Sequence, residues 1–264
     1  MRKRGPAVLV LVACAVVAVL ASVVSCARGN SDETASAGLP KYYAAADLLT
    51  AVRTRQSTDR TATLRLAGRM DAGTEVAGDG ALRVEQGGGM SAQFTQTVTT
   101  AGRSETVPVV VLRGGQVYRQ TAGAWQRIDQ APTGTPDKQW ATVAANLADT
   151  ADPTANLARY SEAALVADAV DDTVDGVPAV RYLVVVDLAR AVEQQRDPVV
   201  RAALQAQQQS GLTRISSTLW IDAADRPLRS AARQSLPGLG TLTLTADYRD
   251  WGGPVTIAQP GATA

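Results

Sequence analysis

The 264-residue chain contains no histidine, two cysteines and a single phenylalanine, and its lysines are confined to Lys3, Lys41 and Lys138. Without an imidazole there is no histidine general base and no histidine metal ligand, which removes the usual serine and cysteine triads and the His-x-Glu metal centres. Activation of a nucleophile would fall to a lysine or a carboxylate. Neither Lys41 nor Lys138 has a serine three residues before it, so the Ser-x-x-Lys arrangement is missing, and no Gly-x-Ser-x-Gly elbow or phosphate loop is present. The adjacent acids Asp171 and Asp172 remain as a candidate pair for carboxylate-driven hydrolysis; the alternative is a solvated turn. These absences predict a non-enzymatic protein without metal or cofactor.

Charge and aromatic content narrow the partners. The formal net charge is +1 with acids and bases interspersed, which leaves no basic face to neutralise phosphates and predicts no nucleic-acid partner. Aromatic residues make up 4% of the chain, which speaks against a site built on ring stacking for sugars or bases. A GC-rich genome, which also favours arginine over lysine, is the competing explanation of that scarcity.

What the sequence does have begins at the N-terminus. Arg2, Lys3 and Arg4 form a positive region, followed from Ala7 to Val24 by an Ala, Val and Leu run interrupted only by Cys14 and Ser22. This is the pattern of an export signal. The run ends in Val23-Val24-Ser25-Cys26, with an aliphatic residue three before the cysteine, as cleavage by a lipoprotein signal peptidase requires. Residues 1–25 are therefore read as a signal peptide, Cys26 as the diacylglyceryl-modified new N-terminus, and residues 26–40 as the lipidated cysteine with a Ser-, Ala- and Gly-rich tether spanning on the order of 20 Å. An uncleaved membrane anchor is the alternative, since the run approaches the length of a spanning helix. Cleavage at Cys14 would strand further apolar residues on the mature chain. With Cys14 removed and Cys26 lipidated, residues 41–264 have no thiol for a disulfide, a redox cycle or a zinc site.

Periodicity divides the domain at 41–264. Tyr42, Ala45, Leu49 and Val52 share a helical face. Leu64 with Leu66, then Leu82 with Val84, alternate against Arg65, Arg83 and Glu85, and further alternating segments run from Met90 to Thr100, Val107 to Leu112, Gln116 to Gln120 and Ala124 to Asp129. Helical spacing returns over Lys138–Ala148, through Trp140, Val143 and Leu147, and over Thr154–Ala167. Ala179–Leu188 reads as a strand apolar on both faces and hence central. A helix opens at Asp197-Pro198, and three strands close the chain at Leu212–Asp222, Leu228–Leu236 and Thr241–Tyr248.

About ten mostly antiparallel strands need curvature at that width, and the middle helices have the place to fill the concave side. The expected class is α+β: a curved, mostly antiparallel half-barrel wrapped over helices. Strand alternation marks Leu64, Leu66, Leu82, Val84, Val109, Val111, Val184, Leu242 and Leu244 as candidates to line an apolar cavity; the competing reading is that they form a solid core.

The C-terminal wording adds to this. Leu219-Trp220-Ile221-Asp222-Ala223-Ala224-Asp225-Arg226-Pro227-Leu228-Arg229, followed by Tyr248-Arg249-Asp250-Trp251-Gly252-Gly253-Pro254-Val255-Thr256-Ile257-Ala258-Gln259-Pro260, resembles the close of the LppX/LprG family of actinobacterial lipoproteins. The lipobox and tether agree. The resemblance implies a fold similar to that of the lipoprotein carrier LolA and the stress sensor RseB, with a hydrophobic cavity for acyl chains; Trp220 and Trp251 would close the core. It implies a protein lipid-anchored on the extracytoplasmic face of the cell membrane that binds or carries an acyl-chain lipid or lipoglycan, as a monomer, in exchange with a membrane transporter or envelope protein. A chain of about sixteen carbons leaving a bilayer forfeits on the order of 10 kcal/mol, so such a carrier needs a dry pocket. The alternative function is an envelope sensor or protein-interaction module of the same fold.

Overall fold

The alternation that begins at Thr61 produces six successive strands: β1 (Thr61–Met70), β2 (Glu75–Val84), β3 (Met90–Thr100), β4 (Arg103–Leu112), β5 (Gln116–Thr121) and β6 (Ala124–Arg127). Five more follow the middle helices: β7 (Ala164–Val174), β8 (Val177–Asp187), β9 (Arg214–Asp222), β10 (Pro227–Leu236) and β11 (Gly240–Arg249). The computed structural model describes residues 38–70, 73–209, 211–236 and 240–260. The signal segment, Cys26 and the tether up to residue 37 lie outside the described residues.

Among the described residues all eleven strands join one open sheet in the order β6-β5-β4-β3-β2-β1-β11-β10-β9-β8-β7. Every neighbouring pair is antiparallel, and the pairing of β1 with β11 joins the first half of the chain to the last. The hairpins β3–β4, β5–β6 and β7–β8 turn through Ala101-Gly102, Ala122-Gly123 and Asp175-Gly176. Both residues of each turn have positive φ, the backbone hand that matches strand twist in two-residue hairpins. The expected α+β architecture, a curved antiparallel sheet wrapped over helices, is the one observed.

The helices cover the concave face in three groups. On one half lies α2 (Pro136–Ala151), which buries Trp140, Ala141, Val143, Ala144 and Leu147 against Leu64, Leu66, Leu82, Phe94, Val109 and Leu244. On the other half α1 (Ala45–Asp59) buries Ala45, Leu48 and Val52. With Leu157 of α3 (Ala155–Arg159), they pack on Val180, Tyr182, Val184, Leu219 and Ile221. A smaller cluster holds α4 (Leu188–Gln194) and α5 (Pro198–Gln209), through Ala191 and Leu204, against Val186.

Several sequence expectations need correction. Thr154–Ala167 is not one helix: α3 ends at Arg159 and β7 begins at Ala164. Ala164 and Val166 face the core, then a register shift between Val166 and Asp168 returns Ala169 to it, and that bulge breaks the period-2 signal. Asp171 and Asp172 therefore lie on an edge strand and not in a turn. The two-sided strand β8 is next to that edge, between β7 and β9, and is not central. Trp251 packs on the core and stacks on Tyr248 with ring centroids 5.9 Å apart. Trp220, by contrast, pairs with Arg181 on the convex face, where its Nε1 donates to Asp172 at 2.9 Å.

Candidate functional site

The strands on the α2 side continue past their apolar alternation, and a cleft forms there. Register defines successive rows on the concave face. The outermost holds Met70 of β1, Thr100 of β3 and Arg103 of β4; the next holds Leu244, Gly68, Val76, Val98 and Glu105. The third holds Ala246, Leu66, Gly78, Gln96 and Val107. Over the first two rows passes the start of α2, leaving a cleft of about 530 Å³, within the size range of small-molecule sites. Its apolar lining is Met70, Val98, Trp140 and Val143, and its rim carries Thr74, Thr100, Arg103, Ser104, Glu105 and Gln139.

The first turn of α2 is fixed from several directions. The Thr135 hydroxyl accepts from the Lys138 N–H at 3.3 Å, and Pro136 occupies the first helical position, where its missing N–H costs nothing. Asp137, favoured near a helix N-terminus, pairs with Arg119 of β5 at 2.9 Å. The Lys138 ammonium donates to the Asp129 carbonyl. The Arg127 guanidinium holds the Asp129 carboxyl below its usual range against the opposing effect of burial, helped by the Val117 N–H. The helix that roofs the cleft is thus tied to β5 and the β6 end.

The residues marked from strand alternation take other positions. Leu64, Leu66, Leu82, Val109, Val111 and Leu244 come together in the core beneath α2, with Val84 packed at its margin. Val184 belongs to the second cluster, under α1. The side chain of Leu242 and all of Cys26 lie outside what the structure describes. None of the described candidates lines the cleft, which is built instead from Met70, Val98 and the α2 face. Trp140 and Val143 were legible as a helical face, whereas the polar rim residues Arg103, Ser104 and Glu105 precede the stretch that reads as a strand.

Asp171 and Asp172 do not converge on a common point. Successive strand residues point to opposite faces. Asp171 pairs with Lys41 at 2.8 Å, and Asp172 accepts from Trp220 and lies 3.6 Å from Arg181. The Trp220 indole N–H, the Thr173 N–H and Arg181 hold Asp172 below the usual carboxylate range, opposite to the direction a general acid needs. Among the described residues no group of three or more acidic, cysteine or histidine side chains has the spacing to hold a metal ion, and no helix is long and apolar enough to cross a membrane.

Solved structures of similar architecture are known. The chain is similar to LprF from Mycobacterium bovis. The two share 15% identity at a TM-score of 0.44, over 84% of this chain and 99% of LprF. MucB matches at 16% identity and a TM-score of 0.43, over 83% of this chain and 63% of MucB, so the chain spans less than two thirds of that protein. A LolA superfamily protein from Nitrosomonas europaea matches at 10% identity and a TM-score of 0.30, over 79% of this chain and 93% of its own. No family model and no curated protein sequence matches the chain.

Proposed function

We propose that the chain is an extracytoplasmic lipoprotein, anchored by a lipid on Cys26, that binds the acyl chain of a lipid or lipoglycan in the cleft beneath α2. The observation that carries this reading is the cleft itself: an apolar lining of Met70, Val98, Trp140 and Val143 behind a rim of hydroxyl, amide and oppositely charged groups. Such a lining removes methylenes from water at roughly 0.8 kcal/mol each, while the rim suits a polar headgroup. The cavity candidate Leu244 shares the row of Val98, and Leu66 lies one row further in. The protein then acts as a binder or carrier, and not as an enzyme.

The test is uptake of palmitate by residues 27–264, a span that includes the whole compact unit beginning at Gly38. Trp140 lines the cleft, so its fluorescence supplies the signal. Val98→Phe and Val143→Phe fill the cleft and are expected to weaken uptake at least tenfold. Leu64→Ala, in the packed core, is expected to cost about 2–5 kcal/mol of stability without a comparable selective loss of binding. A native chain that takes up no acyl probe contradicts the reading and turns the search to protein partners.

A further inference from the structure

One polar side chain on the concave face has no place in a purely hydrocarbon site. Gln96 of β3 is fully buried, at 0% exposure, and neither its Oε1 nor its Nε2 has a hydrogen-bond partner. It lies two residues from Val98 on the same strand face, hence roughly 7 Å further in. Its cross-strand neighbours are Gly78 and Val107. At the same depth Gly78 of β2 contributes no side chain, the space above it being taken by Phe94 and Leu66, so the way from the cleft to Gln96 runs along β3 past Val98. The apolar roof of α2 offers it nothing: the buried residues there are Trp140, Ala141, Val143, Ala144 and Leu147 before Thr150. The Thr150 hydroxyl donates its proton to the Asn146 carbonyl and so has none to give the Gln96 oxygen.

An unpaired buried amide is costly, about 1–3 kcal/mol for each group left unsatisfied. A leucine or methionine would fill the same volume without that cost. A carboxamide with both its donor and its acceptor free complements a ligand group that supplies both, and a hydroxyl is the smallest group that does. We propose that Gln96 is a specificity-determining residue and that the preferred ligand is a hydroxylated acyl chain, whose hydroxyl reaches past Val98 to the Gln96 carboxamide. This rests on the acyl-binding reading of the cleft. A plain hydrocarbon leaves both amide groups unpaired, and a ketone or ester carbonyl satisfies only Nε2, so the expected order of affinity is hydroxyl, then carbonyl, then unsubstituted chain.

The experiment compares palmitate with hydroxypalmitates substituted near the carboxyl, at mid-chain and at the terminal carbon, each titrated against residues 27–264 and against Gln96→Leu and Gln96→Met. At least one positional isomer is expected to bind the native protein about tenfold tighter than palmitate. Both substitutions should abolish that preference, bringing every hydroxypalmitate to no better than palmitate on the same variant. They should also raise the thermal midpoint of the free protein, which shows that the variants are folded. Isomers that all bind no better than palmitate, or a preference that survives both substitutions, overturn the role of Gln96 and leave the acyl-binding cleft standing. Failure of palmitate and every isomer to bind the native protein removes the cleft reading itself.

Discussion

At the scale of single residues, space and ionisation are the two constraints that show most clearly. Gly80 faces the concave side of β2, where a Cβ would stand 2.0 Å from the Gln93 carbonyl oxygen and 2.6 Å from the Phe94 Cα. No side-chain rotation relieves a contact with backbone. Gly80→Ala is therefore expected to destabilise the fold by about 1–3 kcal/mol, read as a lower denaturant midpoint at unchanged slope. Tyr42 shows the second constraint. Its hydroxyl donates to Asp225 at 2.8 Å, and burial, followed by that bond and the Asp225 charge, pushes its pKa up to about 12 from 10.0. The folded state thus favours the neutral phenol, so the stability linked to Tyr42 is complete below pH 10 and is lost as pH rises from 10 towards 12. Chemical unfolding of Tyr42→Phe across that window should show a shallower loss of stability than the native chain. Equal slopes would contradict the assignment.

At the scale of elements, α2 is both the roof of the cleft and the part most dependent on its first turn. Removing the cap by Thr135→Ala is expected to cost about 1 kcal/mol and to raise amide exchange at the start of the helix before any other element opens. Uniform exchange along α2 would show that the roof opens as a whole. The elements around it were unevenly legible in the sequence. Strands such as β1, where Leu64 and Leu66 alternate against Thr63 and Arg65, read directly, and the face formed by Trp140, Val143 and Leu147 identified α2. What stayed hidden was where alternation stops carrying information. Strand β4 starts four residues before the apolar run, at Arg103, and its exposed opening forms the rim of the cleft. Strand β7 is an edge with a bulge at the alanine and aspartate run Ala167-Asp168-Ala169, so its inward residues fall out of phase. The site lies at strand ends and not at the centre of the alternating faces because the centre is filled. Gly78 and Gly80 admit Phe94, and Leu64, Leu66 and Leu244 meet α2 directly.

At the scale of the whole sheet, eleven strands in an open arrangement leave two edges, and exposed edges invite pairing between copies. One is the four-residue β6, too short to serve as a template. The other is the longer β7, which carries a bulge and the acids Asp168, Asp171 and Asp172 along its exposed length. Both features disfavour pairing of edges between copies, in keeping with the monomer expected from the sequence. Replacing Asp168 and Asp172 together by valine is expected to produce concentration-dependent association in size-exclusion chromatography with light scattering, where the native chain elutes as one copy. On the concave side, the cleft lined by Met70, Val98, Trp140 and Val143 is the proposed seat of an acyl chain. Its most direct test is native mass spectrometry with lipid extraction on residues 27–264 produced in an actinobacterial host. The account predicts one lipid per chain, and its loss from Val98→Phe. A folded protein that arrives empty and takes up neither diacyl nor triacyl lipid when these are added would contradict it.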